Sequence, residues 1–159
     1  MMPRDPRRSG RRGNAMVELA LVLLPLLAII FAIMDFSLAV YLRSTFRHAA
    51  REGVRYAVTG RTATGLGQDA SIRAVVQKNA MGFLDGASGA SKIYIRYYNP
   101  DTLVETQSNE GGNIVEVSVE GYTWNWVAPI MRSATPALPV LARSSDRVEF
   151  SPGGISPPR

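Results

Sequence analysis

Two carboxylates, Glu18 and Asp35, stand out in a stretch that is otherwise uncharged from Asn14 to Leu42. An ionised carboxylate in an apolar environment is costly unless a charged or hydrogen-bonding partner relieves it. Glu18 is therefore either paired with a positive group or held at the first helical turn, where the helix dipole favours it. Asp35 precedes Arg43 by eight residues, on roughly the same helix face. Its side chain either reaches towards water at the membrane interface or contacts a partner helix.

The residue types of the chain argue against catalysis. His48 is the only histidine, and there is no cysteine. The positive charge of the neighbouring Arg47 disfavours both metal binding and general-base chemistry at His48. The sequence contains no ligand cluster at metal spacing and no pair of carboxylates that its pattern places in one cleft. We therefore predict that the protein is not an enzyme and has no metal, no cofactor and no small-molecule substrate.

Positive charge is concentrated on the flanks of the apolar stretch. The net charge of +5 divides into +4 for residues 1–13, −2 for residues 14–42, +3 for residues 43–58 and zero for the remainder. The distal part of the chain therefore has no excess of positive charge with which to bind phosphates. We predict that nucleic acid is not a partner.

The apolar stretch is long enough to cross a membrane. Between Glu18 and Arg43 lie 24 residues interrupted only by Asp35; at ~1.5 Å per residue they reach about 36 Å, against a hydrocarbon core of ~30 Å. Residues 1–13 are basic, and their Pro and Gly residues disfavour a helix. By the positive-inside rule this leader keeps the N-terminus in the cytoplasm, so the pattern predicts a single-pass helix with the later residues in the periplasm or outside the cell.

Two other interpretations of this segment remain open. The sequence Ser37-Leu38-Ala39 could end a cleavable secretory signal, although the apolar run is long for one. The segment could also be an uncleaved signal anchor that carries an extracytoplasmic binding module.

Beyond Arg43 the sequence keeps a helical period close to four, which predicts an amphipathic continuation of the helix to Val58. This continuation has three rows of residues along the helix. The apolar row is Phe46, Ala50, Val54 and Val58, and the row of small residues is Ala49, Gly53 and Ala57. The basic row is Arg43, Arg47, Arg51 and Arg55. Small residues let another helix approach closely. In the alternative interpretation the apolar face packs on the protein's own sheet, and the basic row is solvated.

The distal part predicts a small α+β domain over residues 69–150. The glycines of residues 59–68 predict a hinge, and Asp69 is a candidate N-cap for a second helix. Alternating residues 93–98 and 115–120 predict half-buried strands, and residues 141–150 a weaker one. The polar connection over residues 99–112 is either a variable surface loop or contains another element. Residues 151–159 are rich in Pro and Gly and predict a disordered tail.

Three aromatic residues, Tyr122, Trp124 and Trp126, follow the second strand at alternate positions and share one face of it. Core packing is the favoured role, and contact with another subunit or with the membrane surface is the alternative. Pro129, Pro136 and Pro139 are then expected to break regular structure.

Residues 13–18, Gly-Asn-Ala-Met-Val-Glu, resemble the processing site of type IV prepilin-like proteins. In that group a basic leader ends in Gly, the cut follows it, and a Glu stands fifth in the mature chain at the head of a hydrophobic helix. Counting from Asn14 places Glu18 fifth, whereas a cut after Gly10 would place Ala15 there. The register therefore favours cleavage between Gly13 and Asn14.

The apolar run of residues 19–34 and the motif Ala49-Ala50-Arg51-Glu52-Gly53-Val54-Arg55-Tyr56-Ala57 narrow the resemblance to one family. They resemble the TadE-like minor pilins, or pseudopilins, of tight-adherence systems. A minor pseudopilin of a type II secretion system is the neighbouring alternative.

The resemblance implies a bacterial membrane protein that supports or enters a type IV pilus. A prepilin peptidase would remove residues 1–13 on the cytoplasmic side of the inner membrane. Its other partners would be pilin or pseudopilin subunits, the pilus assembly machinery and membrane lipid. Glu18 would then meet the new α-amino group of Asn14, in the same chain or a neighbouring subunit, and Asp35 is a second candidate assembly residue.

Overall fold

The computed structural model describes residues 8–128, 132–133, 136–149 and 155–159 of the chain, with side chains from Asn14 onward. The helices are α1, Arg8–Val58; α2, Gln68–Asn79; and α3, Gly86–Ala90. The strands are β1, Ile93–Tyr98; β2, Glu105–Thr106; β3, Ile114–Trp124; and β4, Leu138–Arg147. A long apolar helix, short helices and an antiparallel sheet confirm the predicted α+β class.

The most apolar part of α1 lies bare in the described chain. Residues Asn14–Val58 contain a span long and apolar enough to cross a membrane, and none of its most apolar window is buried in the protein. A bare apolar surface of this extent suits contact with lipid. The helix therefore suggests a single-pass membrane anchor.

The helix begins earlier than the sequence predicts. A non-helical leader is expected over residues 1–13, yet α1 already begins at Arg8. The strongest helix breakers of the leader, Pro3 and Pro6, precede Arg8 and lie outside the described residues. Gly10 and Gly13 each cost ~1 kcal/mol in a helix but do not prevent one.

The sheet has the strand order β2-β1-β3-β4, and every neighbouring pair is antiparallel. β1 pairs with β3 along its whole length, from Ile93 opposite Val119 to Tyr98 opposite Ile114. The connection between them contains the short strand β2. Of the two alternatives for residues 99–112, the structure therefore favours an intervening element.

β4 begins at Leu138 and not at the predicted residue 141, so that it includes a proline. Pro139, expected to break regular structure, pairs with Thr123 near the beginning of β4. The strand lies at the edge of the sheet, where one side of the backbone has no ladder to complete and the missing N–H of proline is tolerated.

A bulge interrupts β3 after Val119. The pairing passes from Val119 opposite Ala142 to Tyr122 opposite Val140, so β3 has one more residue than β4 at this point. Gly121 has a φ of 70°, a left-handed conformation that glycine adopts without a steric penalty.

The bulge decides which side chains of β3 face the core. Val115, Val117 and Val119 are buried at odd positions, and after the extra residue Tyr122 and Trp124 pack against the same core at even positions. Core packing is therefore confirmed for these two aromatic residues. Trp126 lies beyond the end of the strand.

The core of the domain lies between the sheet, α2 and the last third of α1. Its fully buried members include Phe46 of α1, Ile72 and Val76 of α2, and Val117 of β3. The Phe46 ring meets the Tyr122 ring edge-on at a centroid distance of 4.9 Å, a geometry that aromatic quadrupoles favour.

Side-chain hydrogen bonds of Gln68 hold the end of residues 59–68, the segment expected to be a hinge, against the domain. Gly67, rather than Asp69, is the N-cap of α2. Gln68 is fully buried; its Nε2 donates to the Ala57 carbonyl at 3.2 Å, and its Oε1 accepts from Asn109 Nδ2. These bonds join the end of α1 to the beginning of α2 and to the connection after β2.

Residues 155–159 lie on the domain, in contrast to the disordered tail expected for residues 151–159; residues 151–154 lie outside the described residues. Arg159 Nη2 is 2.8 Å from Asp69 Oδ2, and its guanidinium lies 4.7 Å from the centroid of the Tyr97 ring. Burial, reinforced by the charge of Asp69, raises the pKa of Tyr97.

The described chain divides into two compact units. One contains α1 up to Leu38 together with Asn125–Ala137. The other contains Ala39–Trp124 and Leu138–Arg159, and therefore the whole sheet and its core.

Candidate functional site

The predicted cleavage site lies on regular helix. The backbone of Gly13 and Asn14 belongs to α1, and the Asn14 side chain is exposed. No part of the described chain covers Asn14, so a partner can reach it.

Glu18 is exposed and forms no ion pair with any of the described residues. Its large neighbours Val17 and Leu19 are exposed as well. The carboxylate at the head of the apolar run therefore has no partner of its own within the described chain.

Asp35 has a partner that the sequence pattern did not predict. Its side chain is only 1% exposed. Oδ1 accepts a hydrogen bond from the backbone N–H of Val127 and Oδ2 accepts one from that of Ala128, each at 2.8 Å. Hydrogen bonds to a charged group are worth about 1.5–3 kcal/mol each. The carboxylate is thus neither directed to water nor free.

The segment that Asp35 holds, Asn125–Ala137, has further internal hydrogen bonds. The indole Nε1–H of Trp126 donates to the Pro136 carbonyl at 3.0 Å. The backbone N–H of Arg132 donates to the Ala128 carbonyl at 2.9 Å. The sequence signals for this segment were Trp126 and the prolines Pro129 and Pro136, and they do not indicate a contact with Asp35.

The row of small residues on α1 packs inside the domain. Ala49 and Ala57 are fully buried, and a Cβ placed on Gly53 would come within 2.5 Å of Val76 Cγ2 and 3.4 Å of Val117 Cγ1. The neighbouring Ala50 is also fully buried. These residues bring α1 close to α2 and β3 of the same chain. Of the two roles that the sequence left open for this face, the structure therefore favours packing within the protein over packing on a partner helix.

The basic row of α1 faces away from this core. Arg43, Arg47, Arg51 and Arg55 are all exposed, and none of them forms an ion pair within the part of the chain that the structure describes. A solvated row, as the sequence suggested, agrees with this exposure.

A network of charged groups lies on β1, β3 and β4. Arg96 Nη1 is 2.7 Å from Glu120 Oε1 and 3.5 Å from Glu116 Oε1, and Arg143 approaches Glu116 from β4. The hydrogen bonds from Arg96 and then from Ser118 lower the pKa of Glu120 to about 2. The same pairing with Glu120 raises the pKa of Arg96. These groups stabilise each other across the strands, and nothing in their geometry resembles a reaction centre.

The described residues contain no group of three or more His, Asp or Glu side chains placed to hold a metal ion. His48 lines an open depression with Tyr41, Lys78 and Met81. Lys78 adds positive charge to a position where Arg47 is already close in sequence.

Comparison with known proteins bears on residues 13–55, which include Gly13, Glu18, Asp35 and the Ala-Ala-Arg motif. No curated protein and no solved structure matches the chain at a significant level. The TadE-like family is structural rather than enzymatic. Together with the apolar helix α1, a match to this family is consistent with a membrane-anchored component related to tight-adherence pili. Residues 13–55 match the family model described as TadE-like protein, which confirms the resemblance predicted from the sequence: the chain carries a TadE-like N-terminal segment.

Proposed function

We propose that the protein is a minor pilin, or pseudopilin, that acts as a membrane-anchored structural or assembly component of a tight-adherence type IV pilus. A prepilin peptidase processes it after Gly13. The observation that carries the proposal is the family match, which begins at Gly13 and contains Glu18 five residues later. The exposed apolar surface of α1 supports it, because such a surface suits contact with lipid and with the apolar helices of neighbouring subunits.

Cleavage hydrolyses the peptide bond between Gly13 and Asn14. Water supplies a hydroxyl to the Gly13 carbonyl and a proton to the Asn14 nitrogen, so the products are a carboxylate on the leader and an ammonium group on the mature chain. Gly13 lacks a Cβ, which lets the backbone enter a protease cleft in an extended conformation. Its low helix propensity also makes local unwinding of α1 inexpensive there, ~1 kcal/mol relative to Ala.

The new ammonium group of Asn14 is the partner that Glu18 lacks. In lipid an unpaired carboxylate is costly, and an opposite charge at hydrogen-bond distance relieves that cost. Because Glu18 is exposed on α1, the ammonium group of a neighbouring subunit can reach it. Processing therefore creates the positive charge that Glu18 needs when subunits pack side by side.

The proposed location is the inner membrane, with the N-terminus in the cytoplasm and the domain on the other side. The partners are the peptidase, other pilin or pseudopilin subunits, the assembly machinery and lipid. The exposed basic row of α1 at Arg43 to Arg55 follows the apolar run directly, where it is available to anionic headgroups or to acidic surfaces of these partners.

The test is mass spectrometry of the protein purified from membranes of cells that express the peptidase. The wild type should lack residues 1–13. Gly13→Val should retain them because its side chain obstructs the cleft, whereas the matched variant Gly10→Val should be processed normally. Glu18→Ala should be cut and inserted, yet fibres should be lost from the cell surface.

Wild-type protein that keeps its leader in those cells would overturn the proposal in favour of an uncleaved signal anchor. Normal fibres from Glu18→Ala would contradict the ion pair while leaving the cleavage step intact.

A further inference from the structure

The connection between β3 and β4 is unusually apolar for a loop. Its residues 126–131 read Trp-Val-Ala-Pro-Ile-Met, six apolar residues in succession, and Arg132 is the only charged residue between Asn125 and Ala137. The connection between β1 and β3, by contrast, is polar. Loops in water rarely present such a run, because their backbone and side chains are solvated.

The level of Asp35 on α1 places this connection near lipid. Asp35 follows Glu18 by 17 residues, which at ~1.5 Å per residue corresponds to about 26 Å along the helix, against a hydrocarbon core of ~30 Å. Its neighbour Phe36 is 68% exposed. Asp35 therefore lies within the span, close to its far boundary.

Three N–H groups at the beginning of this connection have partners within the protein. Irregular backbone cannot face hydrocarbon unless its N–H and C=O groups have partners in the protein. Asp35 accepts the N–H groups of Val127 and Ala128, and the Pro136 carbonyl accepts the indole N–H of Trp126. The buried Asp35 carboxylate therefore supplies the two backbone N–H groups with partners that do not depend on water.

Ala128 is buried, but the side chain of Val127 and part of the Trp126 ring are exposed. Val127 is 58% exposed although its N–H is bound to Asp35. Trp126 is half-buried, with a large apolar ring and one bound polar atom, the combination that tryptophan uses at membrane interfaces. The N–H groups of Trp126 and Val127 are bound within the protein, whereas their apolar side chains are partly or largely exposed. This combination is expected of a surface that contacts lipid.

We propose that the beginning of this connection, residues 125–128, is an interfacial membrane element, fastened to α1 by Asp35, whose Trp126 and Val127 insert at the boundary between lipid headgroups and acyl chains. The chain thus meets the bilayer at two places in its sequence, α1 and this loop. Asp35 acts within its own chain and is not available to a partner subunit. The inference rests on membrane anchoring by α1 and is independent of cleavage after Gly13.

The chain offers a direct probe because Trp124 and Trp126 are its only tryptophans. Trp124→Phe leaves Trp126 as the sole emitter, and Trp126→Phe leaves Trp124 as the reference. Each full-length protein is reconstituted in phosphatidylcholine vesicles, and emission is recorded with iodide in the water and with lipids brominated near the headgroup or near the chain end.

In the Trp124→Phe protein we expect blue-shifted emission that lipid bromine near the headgroup quenches most and iodide quenches little. Adding Asp35→Asn, which keeps one acceptor oxygen, or Asp35→Leu, which keeps none, should shift the emission to the red and increase quenching by iodide. Ser37→Ala is the matched control: Ser37 is exposed and bonds only the Ile33 carbonyl of its own helix, so it should change neither.

Strong quenching of Trp126 by iodide with none by brominated lipid would overturn the proposal, and so would protection from both quenchers, which would mean that another copy or partner covers the loop. Unchanged emission in both Asp35 variants would refute the fastening. The Trp126→Phe protein reports whether the domain is still folded in each Asp35 variant, because Trp124 packs on the core. Failure of the wild type to float with vesicles would refute the membrane anchor itself and is thereby distinguished from failure of the loop.

Discussion

Gly53 of α1 and Val76 of α2 lie so close that a Cβ on Gly53 would come within 2.5 Å of Val76 Cγ2. Val76 is fully buried, and a β-branched side chain in a helix has one strongly preferred rotamer, so it cannot turn aside. The absence of a side chain at residue 53 is therefore what lets the two helices meet.

Gly53→Ala should destabilise the domain. Overpacking a core costs about 1–3 kcal/mol, which exceeds the gain in helix propensity of ~1 kcal/mol. Chemical denaturation of the detergent-solubilised protein measures the change. In a double-mutant cycle, Gly53→Ala with Val76→Ala should lose less stability than the sum of the single variants, because the smaller residue makes room. Additive losses would show that the contact is not the cause.

Glu120 should make the stability of the domain depend on acid pH. Its pKa is lowered from 4.5 to about 2 by the hydrogen bond from Arg96 and then by that from Ser118. A carboxylate with a lowered pKa in the folded state contributes stability that is complete above about pH 4.5 and is lost as the pH falls towards 2. With a side chain 28% exposed, the contribution is reduced by solvent screening to about 1–2 kcal/mol.

Glu120→Gln should therefore lower stability at neutral pH and flatten its decline below pH 4.5, as measured by denaturation at a series of pH values. Glu110→Gln is the control, since the exposed Glu110 side chain has no ion pair within the described chain. An equal effect of both substitutions would mean that general charge, and not the pairing with Arg96, sets the pH dependence.

Trp124→Phe should be tolerated. The Trp124 Nε1 is buried and has no hydrogen-bond partner among the described residues, so the indole carries an unpaired donor into the core. Phenylalanine keeps most of the apolar contact and removes that donor, and the free energy of unfolding should change by less than about 1 kcal/mol. Trp124→Ala, which removes the contact as well, should cost about 2–4 kcal/mol. Equal losses in the two variants would contradict this account.

Residues after Arg43 should lie outside the cytoplasm. The leader carries +4, whereas the residues after Val58 have no net charge to oppose their translocation. A phosphatase that is active only outside the cytoplasm, fused after Phe150, should be active, and a fluorescent protein that matures only in the cytoplasm should be dark there. The reverse pattern would contradict the topology.

The apolar helix, the register of Gly13 and Glu18, and the alternation of β1 and β3 were determined by the sequence alone. Each is a local pattern, in which side chains at a fixed spacing fall on one face of a helix or strand. Local spacing also predicted that Phe46 and Val54 would share the buried row of α1.

The bulge after Val119 was decided by tertiary structure. The alternation of β3 predicts one parity for its core residues, but the extra residue at the bulge changes it, so that Tyr122 joins Val119 in the core. The apolar residues change parity between Val119 and Tyr122 in the sequence, but only the pairing with β4 shows that an extra residue is accommodated there as a bulge.

The role of Asp35 shows the same limit most clearly. Its position in an apolar helix predicted that it needs a partner, because burying a carboxylate alone is costly. The partner is the backbone of Val127 and Ala128, more than 90 residues further along the chain. Backbone N–H groups are present at almost every residue and leave no mark in the sequence. The sequence therefore determined that the Asp35 carboxylate needs a partner. Only the folded chain decided which atoms are hydrogen-bonded to it.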